Sequence, residues 1–307
     1  MTRRLWIGLL CGGFAGTLSF GQEPAPREPA RALGTPHALL VDAKVKVTRP
    51  DGGEVEVGAV ARVEYRFDRK ADAAEVGIDK LGLKIVQDGR SVQDSTLSRE
   101  AFQARPGPGA PVVAIPYEKA PPALQEMLGV FGTTVARVKL DPADGRETTR
   151  EFLVDGPLAQ TFKGLVESIL SIHASVPEDA DDWESPARLA LAQGQSAQGA
   201  LKFEKTGPAK DGLVTVKVGG TLTADGSIGA AKVKGGTYVV TGEQVYDVKA
   251  NAWRSARWSV DMNYTLTDPD DKPTGVARGP LTLTMGTPTD VPESNEAPKP
   301  TEPVDPK

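Results

Sequence analysis

Imidazole and thiolate chemistry have little material here: among 307 residues there are two histidines, His37 and His173, and one cysteine, Cys11. His173 follows Ile169 by four residues and Val166 by seven, on the apolar face of an amphipathic stretch. An imidazole there serves as a general base near neutral pH or as a half-buried residue ending a core helix, where the helix C-terminus favours partial positive charge. No serine, cysteine or carboxylate stands beside it in a nucleophile motif, which favours the second assignment. His37 falls where a leading tether ends and is the weaker candidate.

Nucleophile and phosphate motifs fail on inspection. Gly194-Gln195-Ser196-Ala197-Gln198-Gly199 puts Gln198 where a nucleophile elbow needs its second glycine. No serine is followed three positions later by lysine, and Arg105-Pro106-Gly107-Pro108-Gly109 offers prolines where a phosphate loop needs N–H donors. Two acidic clusters remain, Glu178, Asp179, Asp181 and Asp182 before Trp183, and Asp268, Asp270 and Asp271 after Leu266. Either is a source for a glycosidase carboxylate pair or a weak calcium site, but neither has the Asp-x-Asp-x-Asp-Gly order. Trp253 and Trp258 flank Arg254-Ser255-Ala256-Arg257; Trp258 is in phase with an apolar strand face, while Trp253 sits at a turn or rim. There it contacts a ligand or caps the hydrophobic layer, and capping is the preferred assignment. No catalytic, cofactor-binding or metal-ligating residue is assigned. A formal net charge of −5, without a basic cluster interleaved with aromatics, speaks against nucleic acid.

The elements that must position these residues are mostly strands. From Glu54 to Asp68 the odd positions are apolar (Val55, Val57, Ala59, Ala61, Val63, Tyr65, Phe67), and the even ones are polar except Gly58 and Val60. Period two over that length predicts a long strand with one wet face. The pattern returns at Trp258, Val260, Met262, Tyr264 and Leu266, and shorter runs lie at 40–47, 83–86, 112–115, 136–140, 214–222, 238–248 and 281–285. Asp51-Gly52, Asp88-Gly89, Asp144-Gly145 and Asp225-Gly226 mark hairpin turns between runs. Two helices interrupt the strands. One starts at Pro121-Pro122, carries Leu124, Met127, Leu128 and Phe131, and stops at Gly132; the other carries Leu158, Phe162, Leu165, Val166, Ile169 and His173 and is closed by Pro177. The expected fold class is α+β, mostly antiparallel β, a curved sheet or half-barrel whose concave face two helices cover.

The ends have a different composition. Arg3 and Arg4, the apolar stretch 5–18 and Ser19-Phe20-Gly21 predict a signal peptide over 1–21, with export by the general or the twin-arginine route left open. Leu10 before Cys11 speaks against lipid attachment, so Cys11 is expected to leave with the signal, and the apolar stretch is short for a membrane span. A periplasmic or secreted protein follows. Residues 22–36 and 287–307, rich in Pro, Glu and Ala, read as extended tethers. Residues 37–286 form the β-rich domain, with a split near 176 as the alternative.

The stretch from Gly242 through Tyr246-Asp247 and Trp253 to Trp258 and Met262, preceded by Val176-Pro177 to Trp183, resembles a hairpin recurring in uncharacterised secreted proteins of planctomycete-type bacteria. The resemblance covers residues 176–266 and implies an exported β-rich domain of unknown function. Three functions fit. The first is a non-enzymatic exported binding protein for an apolar or envelope-derived ligand or an envelope protein partner. The second is a secreted hydrolase using a carboxylate pair, and the third a structural or surface-assembly module.

Overall fold

The computed structural model describes residues 34–292 except 106, 108, 142–146, 156–157, 178, 191–195 and 229–230. The expected signal peptide, most of the leading tether, residues 293–307 of the trailing one, the Asp144-Gly145 turn, Glu178, and Gly194 and Gln195 of the Gly194–Gly199 motif lie outside the described residues.

The chain before the longer helix runs β1 (Thr35–Thr48), β2 (Glu54–Arg69), β3 (Ala73–Gln87), β4 (Arg90–Ser98), β5 (Ala101–Ala104), β6 (Val113–Pro116), α1 (Pro122–Gly129), β7 (Thr133–Leu140) and β8 (Glu147–Phe152). Then come α2 (Ala159–Ile172), β9 (Asp182–Ala190), β10 (Ser196–Lys205), β11 (Leu213–Ile228), β12 (Ala231–Asp247), β13 (Ala252–Thr267) and β14 (Pro273–Gly286). All pairings are antiparallel, in the order β6-β5-β4-β3-β2-β1-β14-β13-β12-β11-β10-β9. The first and last strands therefore meet in mid-sheet, with Ala38 opposite Gly286 and Thr48 opposite Val276. This joins the meander before α2 to the one after it, and a single apolar cluster runs through both, from Leu39 to Met285. The fold is mostly antiparallel β, and its sheet is curved and unclosed. Among the described residues no helix is long and apolar enough to cross a membrane.

Local chemistry sets the curvature. β3 serves two partners: Ala73–Ile78 pair with β7 and Lys80–Gln87 with β4. Asp79 stands at the fork, where the β2–β3 register slips between Glu64 and Tyr65, and Arg66 Nε holds its carboxylate at 2.8 Å. A bulge of this kind bends and twists a strand. At Gly279 a Cβ would lie 1.8 Å from Lys44 O, so only glycine lets β14 approach β1 so closely. Gly242 does the same beneath Trp258, whose indole is fully buried.

Both expected helices are present, but α2 is more deeply placed than a one-sided lid. Phe162, Leu165, Val166, Ile169 and Ile172 are buried, as an apolar stripe requires, yet so are Gly164, Glu167, Ser168 and Ser171 on its flank. That flank packs on the edge strand β9. Of α1 only Leu128 is buried, and Phe131 beyond it meets Phe162 edge-to-face with ring centroids 5.4 Å apart.

Both tether boundaries move. β1 begins at Thr35, which makes His37 a buried strand residue, not the end of a tether, because its position is in phase with Leu39 on the core face. At the other end Val291 is buried against Ala38, Leu40 and Val60, so the packed chain continues past Gly286. This also explains Val60, the apolar exception on the wet face of β2: the C-terminal segment covers it.

Candidate functional site

β9 is one edge of the sheet, β8 is the outer strand of a branch that joins β3 through β7, and α2 contacts both. Two serines three residues apart on α2 take up the bare edge of β9. Ser171 Oγ accepts from Arg188 N–H at 2.8 Å, and Ser168 Oγ accepts from Ala190 N–H at 2.8 Å. These are the N–H groups that an unpaired strand edge presents for pairing. Gly164 completes the close face, since a Cβ there would lie 3.1 Å from that of Ala190. Glu167, only 5% exposed, faces Arg188 at 3.3 Å and Arg150 of β8 at 3.6 Å, so one carboxylate ties the helix towards both edges. Lys163 adds a contact to β8, its ammonium 5.6 Å from the centre of the Phe152 ring.

The C-terminus of α2 ends in a cradle of donors. A helix leaves its last carbonyls without internal partners. Here Gln244 Nε2 of β12 donates to Ile172 O at 2.9 Å, Arg69 Nη1 of β2 to His173 O at 3.2 Å, and Trp253 Nε1 of β13 to Ala174 O at 2.8 Å. Arg69 also donates to Ser175 Oγ. Three strands thus each send one donor to three consecutive carbonyls, and the one cation among them suits the negative end of the helix dipole.

His173 caps this end, and the structure brings both histidines together over it. Tyr65 Oη and His173 Nε2 are hydrogen-bonded at 2.8 Å, Phe67 stacks on His173 at 4.1 Å, and His37 lies edge-on to His173 at 5.0 Å and stacked on Tyr65 at 5.4 Å. Burial lowers His37 to about 4. Burial, then the neighbouring His37 and Arg69, holds His173 well below its ordinary value, and burial pushes Tyr65 up. All three are neutral at pH 7. His173 therefore does not carry the partial positive charge its place at a helix C-terminus suggests, because burial and Arg69 outweigh the dipole. His173 is 5% exposed, and the cluster packs against the helix end.

The other sequence candidates separate. Trp253 caps the core and is 3% exposed, its indole N–H spent on the α2 terminus; Trp258 lies in the core. Ser196 to Gly199 run straight along β10, paired with β9 and β11, with no elbow. Asp182 pairs with Lys202 at 3.4 Å. Asp268 Oδ1 accepts from the N–H groups of Asp270 and Lys272, and Asp271 pairs with Lys232 at 2.9 Å and Lys234 at 3.2 Å, so this cluster builds a turn. Among the described residues no group of three or more His, Cys, Asp or Glu side chains could hold a metal ion. Arg69 and Gln244, which the sequence reading passes over, carried a signal: each is a polar residue in the apolar phase of its strand, Arg69 after Tyr65 and Phe67, Gln244 after Tyr238 and Val240.

No protein-family model matches the chain, and no curated protein sequence does. Among solved structures, lipovitellin is similar at a TM-score of 0.42 and 13% identity over 88% of this chain and 27% of its own, so the chain spans about a quarter of it. DynF from the dynemicin biosynthesis pathway of Micromonospora chersina gives 0.23 at 11% identity, over 91% of this chain and 96% of its own. A protein assigned as AttH from Nitrosomonas europaea gives 0.16 at 10% identity, over 85% and 99%. At TM-scores this low none of them assigns a ligand or an activity.

Proposed function

We propose that the protein is an exported, non-enzymatic binding protein for an apolar ligand, and that the ligand seat is the groove α2 fills. One observation carries this reading: α2 packs its apolar stripe against an unclosed sheet and, among the described residues, is joined to its strands only through side chains, at β9, at β8 and at the donor cradle. Releasing α2 breaks these contacts and its apolar packing without unpairing a strand. The surface beneath α2 is apolar, since Phe162, Leu165, Val166, Ile169 and Ile172 belong to the main cluster together with residues of β1, β2 and β10 to β14. Displacing the helix uncovers a concave apolar face of the kind small-molecule sites use. Two open concavities of the resting structure lie towards strand ends instead, about 360 Å³ around Arg49 and Pro273 and about 470 Å³ around Asp225 and Lys234.

A helix lock tests the reading. Gly164→Cys with Ala190→Cys places two Cβ atoms close to the separation a disulfide needs, and Cys11 is the only native cysteine. The reduced variant should take up the fluorescent apolar probe 1-N-phenylnaphthylamine, and the oxidised variant should not. Equal uptake in both states overturns a seat beneath α2.

A further inference from the structure

We propose that the C-terminal end of α2 is an acid-released latch: protonation of His37 and His173 frees Ile172 to Ser175 from the strands that hold them, while the sheet stays paired. The device needs no ligand and stands whether or not the face beneath α2 takes one. His173 to Ser175 belong to no strand or helix. Side chains fix them: Gln244 on Ile172 O, Arg69 on His173 O and Ser175 Oγ, Trp253 on Ala174 O, and Tyr65 on His173 Nε2. The sheet, by contrast, is joined backbone to backbone, from Ala38 opposite Gly286 to Thr48 opposite Val276. The helix end can therefore open while the ladder holds, and local openings of this kind cost less than global unfolding.

Both imidazoles stand inside the joint. His37 lies edge-on to His173 at 5.0 Å, Phe67 stacks on His173 at 4.1 Å, and His37 Nδ1 is buried without a hydrogen-bond partner. A proton on either ring sets a buried cation beside a second imidazole and near Arg69, whose Nη1 donates to His173 O at 3.2 Å. The titratable and charged groups that face the pair are His37 from β1, Tyr65 and Arg69 from β2, and Tyr246 from β12, which acts on Arg69. The carboxylates further out are engaged elsewhere. Asp247, at the end of β12, is held by Arg254 at 2.6 and 2.9 Å and by the N–H groups of Lys249 and Ala250. Glu167, six residues back on α2, faces Arg188 and Arg150. Stacking on Phe67 returns part of the cost of a charged His173, but burial outweighs it.

Linkage gives the direction. In the closed latch His37 titrates at about 4, and His173 is shifted the same way by burial, then by His37 and Arg69. In the open latch both return towards 6.5, so the open state binds the protons. Closure is complete above about pH 6.5 and is lost as pH falls towards about 4. Between about pH 7 and 5, His37 alone moves the closed-to-open ratio by roughly 20-fold, and His173 adds to it.

Hydrogen exchange followed by NMR on the isotope-labelled protein, with the intrinsic pH dependence divided out, tests the latch. The Trp253 indole N–H and the His173 amide, which donates to Ile169 O, report the helix end. Their protection should fall at least ~10-fold from about pH 7 to 5, while the amides of the β1–β14 ladder keep theirs. The chain has two histidines, so two imidazole Cε1–H signals should titrate over the range in which Trp253 loses protection. His37→Phe, which keeps the aromatic stack, should reduce the fall at Trp253. Protection at Trp253 that stays level to about pH 4.5, or that falls only together with the β1–β14 ladder, overturns the latch. So does an undiminished fall in His37→Phe.

Discussion

Tyr65 of β2 and His173 at the end of α2 share a buried hydrogen bond of 2.8 Å between the phenol oxygen and Nε2. It is one of the points where the first meander grips the helix that separates it from the second, with Arg69 on His173 O and Arg150 on Glu167. Both groups are neutral, and His37 closes the aromatic stack from β1.

This arrangement makes the fold acid-sensitive. His37 titrates at about 4 in the folded chain against 6.5 unfolded, with burial as the cause, and His173 is shifted the same way. Between those values the unfolded chain binds more protons than the folded one, so stability is complete above about pH 6.5 and falls as pH drops towards 4. His37 alone accounts for about 3 kcal/mol of loss across that window. Urea midpoints measured from pH 7 to 4 should decline, and His37→Phe, which keeps the stack, should flatten the slope. A midpoint that stays level to pH 4.5 would remove the two imidazoles from the account.

The seam between α2 and β9 is expected to be fragile at single atoms. Ser171→Ala and Ser168→Ala each delete the acceptor of a strand N–H, of Arg188 and of Ala190. Each should cost about 1–3 kcal/mol. Amide exchange separates this from general loosening: the Arg188 and Ala190 amides should accelerate in the corresponding variant, while the amides pairing β1 with β14 stay slow.

The junction of β1 and β14 depends on an absent side chain. Gly279→Ala drives a Cβ to 1.8 Å from Lys44 O, and a backbone oxygen cannot rotate away, so a loss above about 3 kcal/mol is expected. Gly58→Ala on β2 is the control. Its nearest neighbour is Val86 Cβ at 3.8 Å, an ordinary contact, and the change should fall within about 0.5 kcal/mol of the parent. Thermal melts of the two variants test the difference.

What the sequence makes legible follows solvent contact. β13 has one wet face and one dry face along nearly its whole length, and β2 has the same alternation except where the C-terminal segment covers Val60 and Arg62, so period two is plain. β8, with Glu147, Thr148, Thr149 and Arg150, has hardly an apolar residue, and β9 carries Pro186 amid small residues, which only an edge strand tolerates. Their pairing comes from neighbours, which no local window contains. The cradle is hidden for the same reason. Tyr65 and Arg69, His173, and the pair Gln244 and Trp253 lie in three stretches far apart in sequence, and the meeting of β1 with β14 brings them to one helix end. Extending the odd phase of β2 by two residues beyond Phe67 would have shown Arg69 as a cation on the dry face.

The C-terminal segment is part of the fold as far as Val291. Arg62, 8% exposed on β2, donates to Pro288 O at 2.8 Å and is paired with Glu64, while Val291 closes over Ala38, Leu40 and Val60. A chain ending at Pro292 should keep the parent's stability, since nothing in this patch is removed. A chain ending at Gly286 loses Val291 and the Pro288 carbonyl, and leaves Leu40 and Val60 exposed with a guanidinium short of an acceptor. The expected cost is about 2–4 kcal/mol, and Val291→Ala in the full chain should recover the apolar share of it alone. Equal urea midpoints for the two truncated chains would mean that the β1–β2 face holds without its cover, and that Val60 is tolerated in water.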